Sequence, residues 1–213
     1  MILIMIKLKE YIPTQVNEAI QDQLYHLQDT SNTPKENELL LQLFISSLPR
    51  STVFHQIQNS SSLCLPLIYS LRYIPISTLI DEYICVENGL LHNRSNLVLP
   101  AIMELIEMIA EKSKPYQRRH IIFTIFQELS ENADGSNFFL KTLGNLLNNT
   151  FYIVSSKEIQ LLLQLYKIDN YKENLRNVFY SCIFQSIDDI KVVSEYCCDL
   201  DVSKYVYVLF IDV

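Results

Sequence analysis

Apolar residues recur along much of this chain at intervals of three and four. Leu175, Val178, Phe179, Cys182, Ile183 and Ile187 follow i, i+3, i+4, i+7, i+8 and i+12, the spacing that lines one face of an α-helix. Ile122, Ile125, Phe126 and Leu129 keep the same rhythm, as do Phe139, Leu143, Leu146 and Leu147. Start signals agree. Thr33-Pro34-Lys35-Glu36 joins a capping threonine, a proline at the first helical position and a glutamate at the third, the features of a helix N-terminus. The run ELLLQLFISSL follows and Pro49 stops it. Ser155-Ser156-Lys157-Glu158 is a second capping box, ahead of IQLLLQLYKI, and Thr78 and Asp81 share its spacing before EYICV. The pattern predicts helices near 14–28, 35–48, 51–58, 61–74, 78–86, 98–113, 116–131, 137–148, 156–168, 171–186 and 189–198.

Amphipathic helices joined by short polar turns fold as antiparallel hairpins, and stacked hairpins make an α-solenoid in which each unit buries its neighbours. From residue 97 on, the hairpins recur every 35 to 40 residues, within the range of HEAT and armadillo units. LVLPAIMELIEMIAEKSKPYQRRHIIFTIFQEL resembles a HEAT-type hairpin with a proline at its bend. FFLKTLGNLLNN, and Leu143-Gly144-Asn145-Leu146-Leu147 in particular, resembles the L-x-N-L segment of the last helix of armadillo repeats. In those proteins the asparagine faces the concave groove and binds the backbone of an extended peptide. The resemblance implies that role for Asn145, against an ordinary exposed helix position. The expected fold class is therefore all-α: a short HEAT/armadillo-like solenoid over about 97–200, with a compact helical bundle as the alternative. One all-helical domain over 1–213 is expected, with subregions 1–90 and 96–213 parted by the irregular stretch ENGLLHNRSN.

Composition narrows the class. Hydrophobic residues at 49% and charged residues at 19% exclude a disordered chain. Only three glycines occur, and no GxGxxG or GxxxxGK[ST] loop, so no phosphate-cradling loop is available. A formal net charge of -7 and a pI near 5.1 argue against broad nucleic-acid binding. Cys64, Cys85, Cys182, Cys197 and Cys198 are scattered without a CxxC pair, which points to a reducing compartment and a cytoplasmic protein. The apolar start MILIMIKLKEYIP and the tail KYVYVLFIDV are too short for a signal-peptide core or a membrane span, so no membrane is expected. The bias toward Ile, Asn, Lys and Tyr fits A+T-rich codons, as in the genome of a microsporidian, a malaria-type parasite or a slime mould.

Candidate chemistry centres on KSKPYQRRH, residues 112 to 120. Lys112 and Lys114 close one helix, where cations complement the dipole. Arg118 and Arg119 open the next, where the dipole opposes them, so something must compensate. Either Glu107 or Glu111 pairs across the bend, or the site takes an external anion: free N–H groups, two guanidinium forks and Tyr116 suit a phosphate or a partner's carboxylate. Lys112, Lys114, Tyr116, Arg118 and Arg119 are thus the candidate anion, RNA or partner-binding residues. Glu104, Glu107 and Glu111 otherwise read as a solvated face. Cys197-Cys198 has no base at a diagnostic spacing. His26, His55, His92 and His120 form no HExxH or related pair, so no catalytic residue, metal, cofactor or small-molecule substrate is expected. The resulting expectation is a non-enzymatic helical scaffold or adaptor that docks on a protein partner. The alternative is a ribosome-bound dormancy (hibernation) factor of a microsporidian-like organism, touching ribosomal proteins and rRNA.

Overall fold

The computed structural model describes residues 45, 50, 53, 54, 57, 64–87, 89–93, 95, 97–131, 136–197, 200, 201, 206 and 207. The expected helix at 14–28, the Thr33 box, the apolar start, His26, His55 and Cys198 lie outside them. So does most of the expected helices at 35–48 and 51–58 and of the tail. The described chain is mostly helical, with three strands of two residues each. It groups into two compact units, 1–93 and 94–213.

The first unit carries helix α1 (Cys64–Ser70), a 3-10 turn (Leu71–Tyr73), helix α2 (Ile76–Leu79), a π-helical turn (Ile80–Ile84) and a second 3-10 turn (Leu90–His92). Val53, Leu67, Ile68, Leu71, Ile80, Ile84 and Leu91 are completely buried in it. Tyr83 packs edge-on against Phe54, with ring centroids 5.5 Å apart. Burial pushes the Tyr83 phenol up, Glu82 adds to this and Arg50 partly opposes it. The expected cap at Thr78 does not form. Helix α2 begins at Ile76 behind Pro75, so Thr78 lies inside it; the proline, which cannot continue a preceding helix, sets the start. A side-chain carbon on Gly89 would stand 2.7 Å from the carbonyl oxygen of Tyr83 and 2.8 Å from that of Val86. Only glycine fits there.

The second unit holds helices α3 (Leu99–Lys112), α4 (Pro115–Glu131), α5 (Ser136–Asn148), α6 (Ser156–Tyr166), α7 (Lys172–Ser181) and α8 (Ile187–Tyr196). The expected stripes are its core: Ile122, Ile125, Phe126, Leu129, Phe139, Leu143, Leu146 and Leu147 are all buried. Each such side chain contributes about 1.5–3 kcal/mol. Packing follows a two-step order. Helix α5 packs against α3 and α7, and α6 against α4 and α8, while α5 also meets α4 and α6 meets α7. Helices α3, α5 and α7 therefore make one layer and α4, α6 and α8 the other. The starts of α3, α5 and α7 lie 37 and 36 positions apart (99 to 136, 136 to 172).

Three strands, β1 (Ile153–Val154), β2 (Ile183–Phe184) and β3 (Val206–Tyr207), form a parallel ladder in the order β1-β2-β3. Ile153 pairs with Ile183 and Ile183 with Val206. The strands β1 and β2 lie in the connections from α5 to α6 and from α7 to α8. This corrects the expected single helix at 171–186. Helix α7 ends at Ser181, and Cys182 turns to an extended conformation with φ -70° and ψ 138°. Ile183 and Phe184, aromatic and β-branched, suit a strand and find partners in the ladder. The apolar stripe continues past the break because Cys182 and Phe184 still point inward, at 0% and 1% exposure, but Ile187 does not: it is 60% exposed.

Candidate functional site

The bend between α3 and α4 is closed locally. The hydroxyl of Ser113 donates to the carbonyl of Ala110 at 3.1 Å. The backbone N–H of Lys114 donates to the side-chain oxygen of Gln117 at 2.9 Å, and Pro115 opens α4, where its missing N–H costs nothing. Lys112, Lys114, Tyr116 and Arg119 are exposed around this turn, and Arg118 is half-buried.

Adjacent residues on a helix point about 100° apart, and the two arginines go separate ways. Arg118 reaches the far end of α5. Its Nη1 donates to the carbonyl oxygen of Asn149 at 3.0 Å. The guanidinium thus sits at the C-terminal end of α5, where carbonyls carry the negative end of the helix dipole. That offsets its unfavourable place in the first turns of α4. The pairing with Glu107 or Glu111 expected across the bend does not form: among the described residues Arg118 and Arg119 make no ion pair. Glu107 is engaged elsewhere. Its Oε1 accepts from Thr142 Oγ1 at 2.9 Å and from Asn145 Nδ2 at 3.0 Å, which ties α3 to α5. Glu107 is therefore a packing partner and not merely part of a solvated face. Asn145 is exposed on α5, held by that bond, and its own carbonyl accepts from Asn149 Nδ2 at 2.9 Å.

These groups surround a hollow of about 460 Å³. Helix α3 supplies Glu107 and Glu111, α4 supplies Arg118, and α5 with the turn after it supplies Asn145, Asn148 and Thr150. The sequence candidates Arg118 and Asn145 thus meet in one place. Two polar atoms here are buried without a hydrogen-bond partner, Arg118 Nε and Thr150 Oγ1.

Arg119 faces a second hollow of about 400 Å³, with Phe123 one turn further along α4, Phe151, Tyr152 and Glu158. Phe123 is 50% and Phe151 60% exposed, and Tyr116 is 63% exposed. Tyr116, Arg119 and Phe123 follow i, i+3, i+7 and so share one stripe of α4. Behind them the wall is cross-linked by a ring stack and hydrogen bonds. Tyr152 stacks on Phe126 with centroids 6.1 Å apart and donates its hydroxyl to Glu158 Oε1 at 2.6 Å. Burial, then the bond to Glu158, raises the Tyr152 phenol well above its ordinary value. Glu158 also completes the expected capping box: its Oε2 accepts from the Ser155 N–H at 2.7 Å, and the Ser155 side chain accepts from the Glu158 N–H.

Sequence reasoning missed Thr142, Thr150 and Phe151. Thr142 carried a signal, a polar residue beside the apolar positions Phe139 and Leu143 of an amphipathic helix. Phe151-Tyr152-Ile153 carried another: a short aromatic and β-branched run between an Asn-rich turn and a serine cap reads as a strand.

Of the cysteines, Cys64, Cys182 and Cys197 are buried. Burial pushes the Cys182 thiol far up, and Glu158 adds to it, the opposite of what a nucleophile needs. No helix among the described residues is long and apolar enough to cross a membrane. Compared with known proteins, the chain matches no family model, no curated protein and no solved structure.

Proposed function

We propose that this chain is a non-catalytic docking protein that holds a protein partner on the α4 face beside the basic bend. The observation that carries the reading is the exposed stripe Tyr116, Arg119 and Phe123 with Phe151 next to it. Aromatic residues and arginine dominate the energetic centres of protein interfaces, and three large rings left in water by a single face are a surface waiting for cover. Lys112, Lys114 and Arg119 add positive charge at one end, so the complementary partner segment is apolar with a carboxylate-bearing side chain. The scaffold is read as a short HEAT/armadillo-like stack. The two helical layers support that reading, as do the near-equal intervals between α3, α5 and α7.

The test is sedimentation of native lysate on a sucrose gradient, with the chain followed by immunoblot at low and moderate salt. The wild-type chain is expected to run far heavier than its 24.9 kDa, and Phe123→Ser with Phe151→Ser to return it to the light fractions. Light migration of both would overturn the docking reading. Co-migration with ribosomes that weakens with salt and with Arg119→Glu makes the partner a ribonucleoprotein and the bend a phosphate contact. That outcome would favour the dormancy-factor alternative.

A further inference from the structure

We infer that the free edge of β1 takes an extended segment of a protein partner as an added strand, with an apolar side chain of that segment between Phe123 and Phe151 and an acidic one on Arg119. The inference rests on the docking reading of this face and deepens it by naming the form of the partner. Three observations converge. The ladder runs β1-β2-β3, so β1 has a neighbour on one side and none among the described strands on the other. The strands come from successive helix connections, β1 between α5 and α6 and β2 between α7 and α8. The equivalent connection between α3 and α4 is only Ser113 and Lys114. Ser113 is extended, with φ -87° and ψ 159°, but Pro115 already opens a helix, so that connection supplies no strand. The ladder therefore stops at β1. Beside it lies the hollow of about 400 Å³, lined by Arg119 and Phe123 of α4 and by Phe151, Tyr152 and Ile153.

A strand at a sheet edge presents N–H and C=O groups that a further strand can join. In that mode main-chain hydrogen bonds give affinity and alternate side chains give specificity. The two residues of β1 offer few main-chain bonds, so the side chains around it must contribute. An apolar side chain entering the hollow covers Phe123 and Phe151, both largely in water. Charge sets the next position. Arg119 is exposed and has no hydrogen-bond or ion-pair partner among the described residues. Lys112 and Lys114 stand exposed in the bend that precedes it. The one carboxylate lining the hollow, Glu158, is already committed at both oxygens, to Tyr152 and to Ser155. An acidic side chain of the partner therefore finds Arg119 open. Single-stranded RNA would also stack its bases on exposed rings beside an arginine. It would leave the edge of β1 unjoined, however, and bring phosphates to a chain of formal net charge -7.

The experiment is fluorescence polarisation of the full chain against labelled probes. The first is an octapeptide that alternates glutamate with valine or phenylalanine. Its controls are the same peptide with lysine for glutamate, a pair N-methylated on odd or on even main-chain amides, and a uridine octamer of RNA. The glutamate peptide is expected to bind at least ten times more tightly than the lysine peptide, the RNA and one or both N-methylated forms. Its binding is expected to slow amide hydrogen exchange within residues 151–154, which contact through side chains alone would not do. Arg119→Glu is expected to weaken the glutamate peptide at least tenfold and to strengthen the lysine peptide. Phe123→Ser is expected to weaken both. Glutamate-peptide binding that N-methylation does not weaken and that leaves exchange unchanged would overturn strand addition while the docking reading stands. Absent binding of that peptide, or tighter binding of the RNA, would overturn it as well. So would dimerisation of the pure chain that Phe123→Ser abolishes, since the edge would then belong to a second copy. The docking reading is decided separately, by the lysate gradient.

Discussion

The Nη1 atom of Arg118 and the carbonyl oxygen of Asn149 lie 3.0 Å apart, across 31 positions of sequence. One hydrogen bond thus joins the bend that opens α4 to the turn that closes α5. It also places a cation where the exposed carbonyls of α5 are negative. Arg118→Met keeps the aliphatic stem and removes the donor. Its expected cost is about 1 kcal/mol, read by urea denaturation; a cost near zero would mean that the bond does not hold the two connections together.

Two glycines should respond in opposite directions to alanine. At Gly144, in α5, a new side-chain carbon would stand 3.7 Å from the backbone of Asn177 and Val178, ordinary contact distance. Gly144→Ala is expected to gain up to about 1 kcal/mol from helix propensity. At Gly89 the same carbon would meet two carbonyl oxygens within 2.8 Å, and Gly89→Ala is expected to cost about 1–3 kcal/mol through overpacking. Thermal melts of the two variants check the contrast.

Glu158 binds Ser155 and Tyr152 together, so the start of α6 depends on a small network. Ser155→Ala is expected to destabilise the protein by about 1 kcal/mol. Tyr152→Phe, combined with it, should cost less than the sum of the two single changes, because both act through one carboxylate. Additive costs in a double-mutant cycle would argue that the two bonds are independent.

Stability should fall on the alkaline side. Cys182 ionises above its ordinary value of 9.0 because it is buried and faces Glu158, and Tyr152 above its ordinary 10.0 because it is buried and bonded to the same residue. In the unfolded chain both lose their protons at ordinary pH values, so above about pH 9 the unfolded state binds fewer protons than the folded one. Their contribution is fully present below pH 9 and drains away as pH rises, with a limiting slope of about 1.4 kcal/mol per pH unit for each group. Urea unfolding at pH 8 and pH 10 reads the loss, and Cys182→Ala is expected to flatten it. Native Cys182 should also resist Ellman's reagent until the protein unfolds.

Much of the helical content was legible because the apolar stripes of α3 to α6 are long and their punctuation is local: Pro115 at the bend, and Ser155 with Glu158 at a cap. The break at Cys182 was not legible. Buried residues of a short strand fall where a continuing helix would also put them, and only the pairing of Ile183 with Ile153 and Val206 distinguishes the two. The candidate site was half legible. Two adjacent arginines after a proline announce themselves. Their divergence into separate hollows depends on where the turn after α5 returns, and no local pattern in residues 149–153 states that. Thr150 acquires its place beside the hollow only through Glu107, Glu111 and Arg118, which lie more than thirty positions away.

The layering of α3 to α8 bears on how the chain is made. The main packing partners of each helix of the second unit lie no further than two helices along, and β1 waits only for residues 183 and 184. Contacts of that range close small loops, and loop closure is the slow part of assembling a fold. During synthesis α5 has both α3 and α4 to settle on as soon as it emerges. The hollow that Arg118 and Thr150 line is therefore complete once residue 150 has emerged from the ribosome, before α6, α7 and α8 have emerged to pack on it.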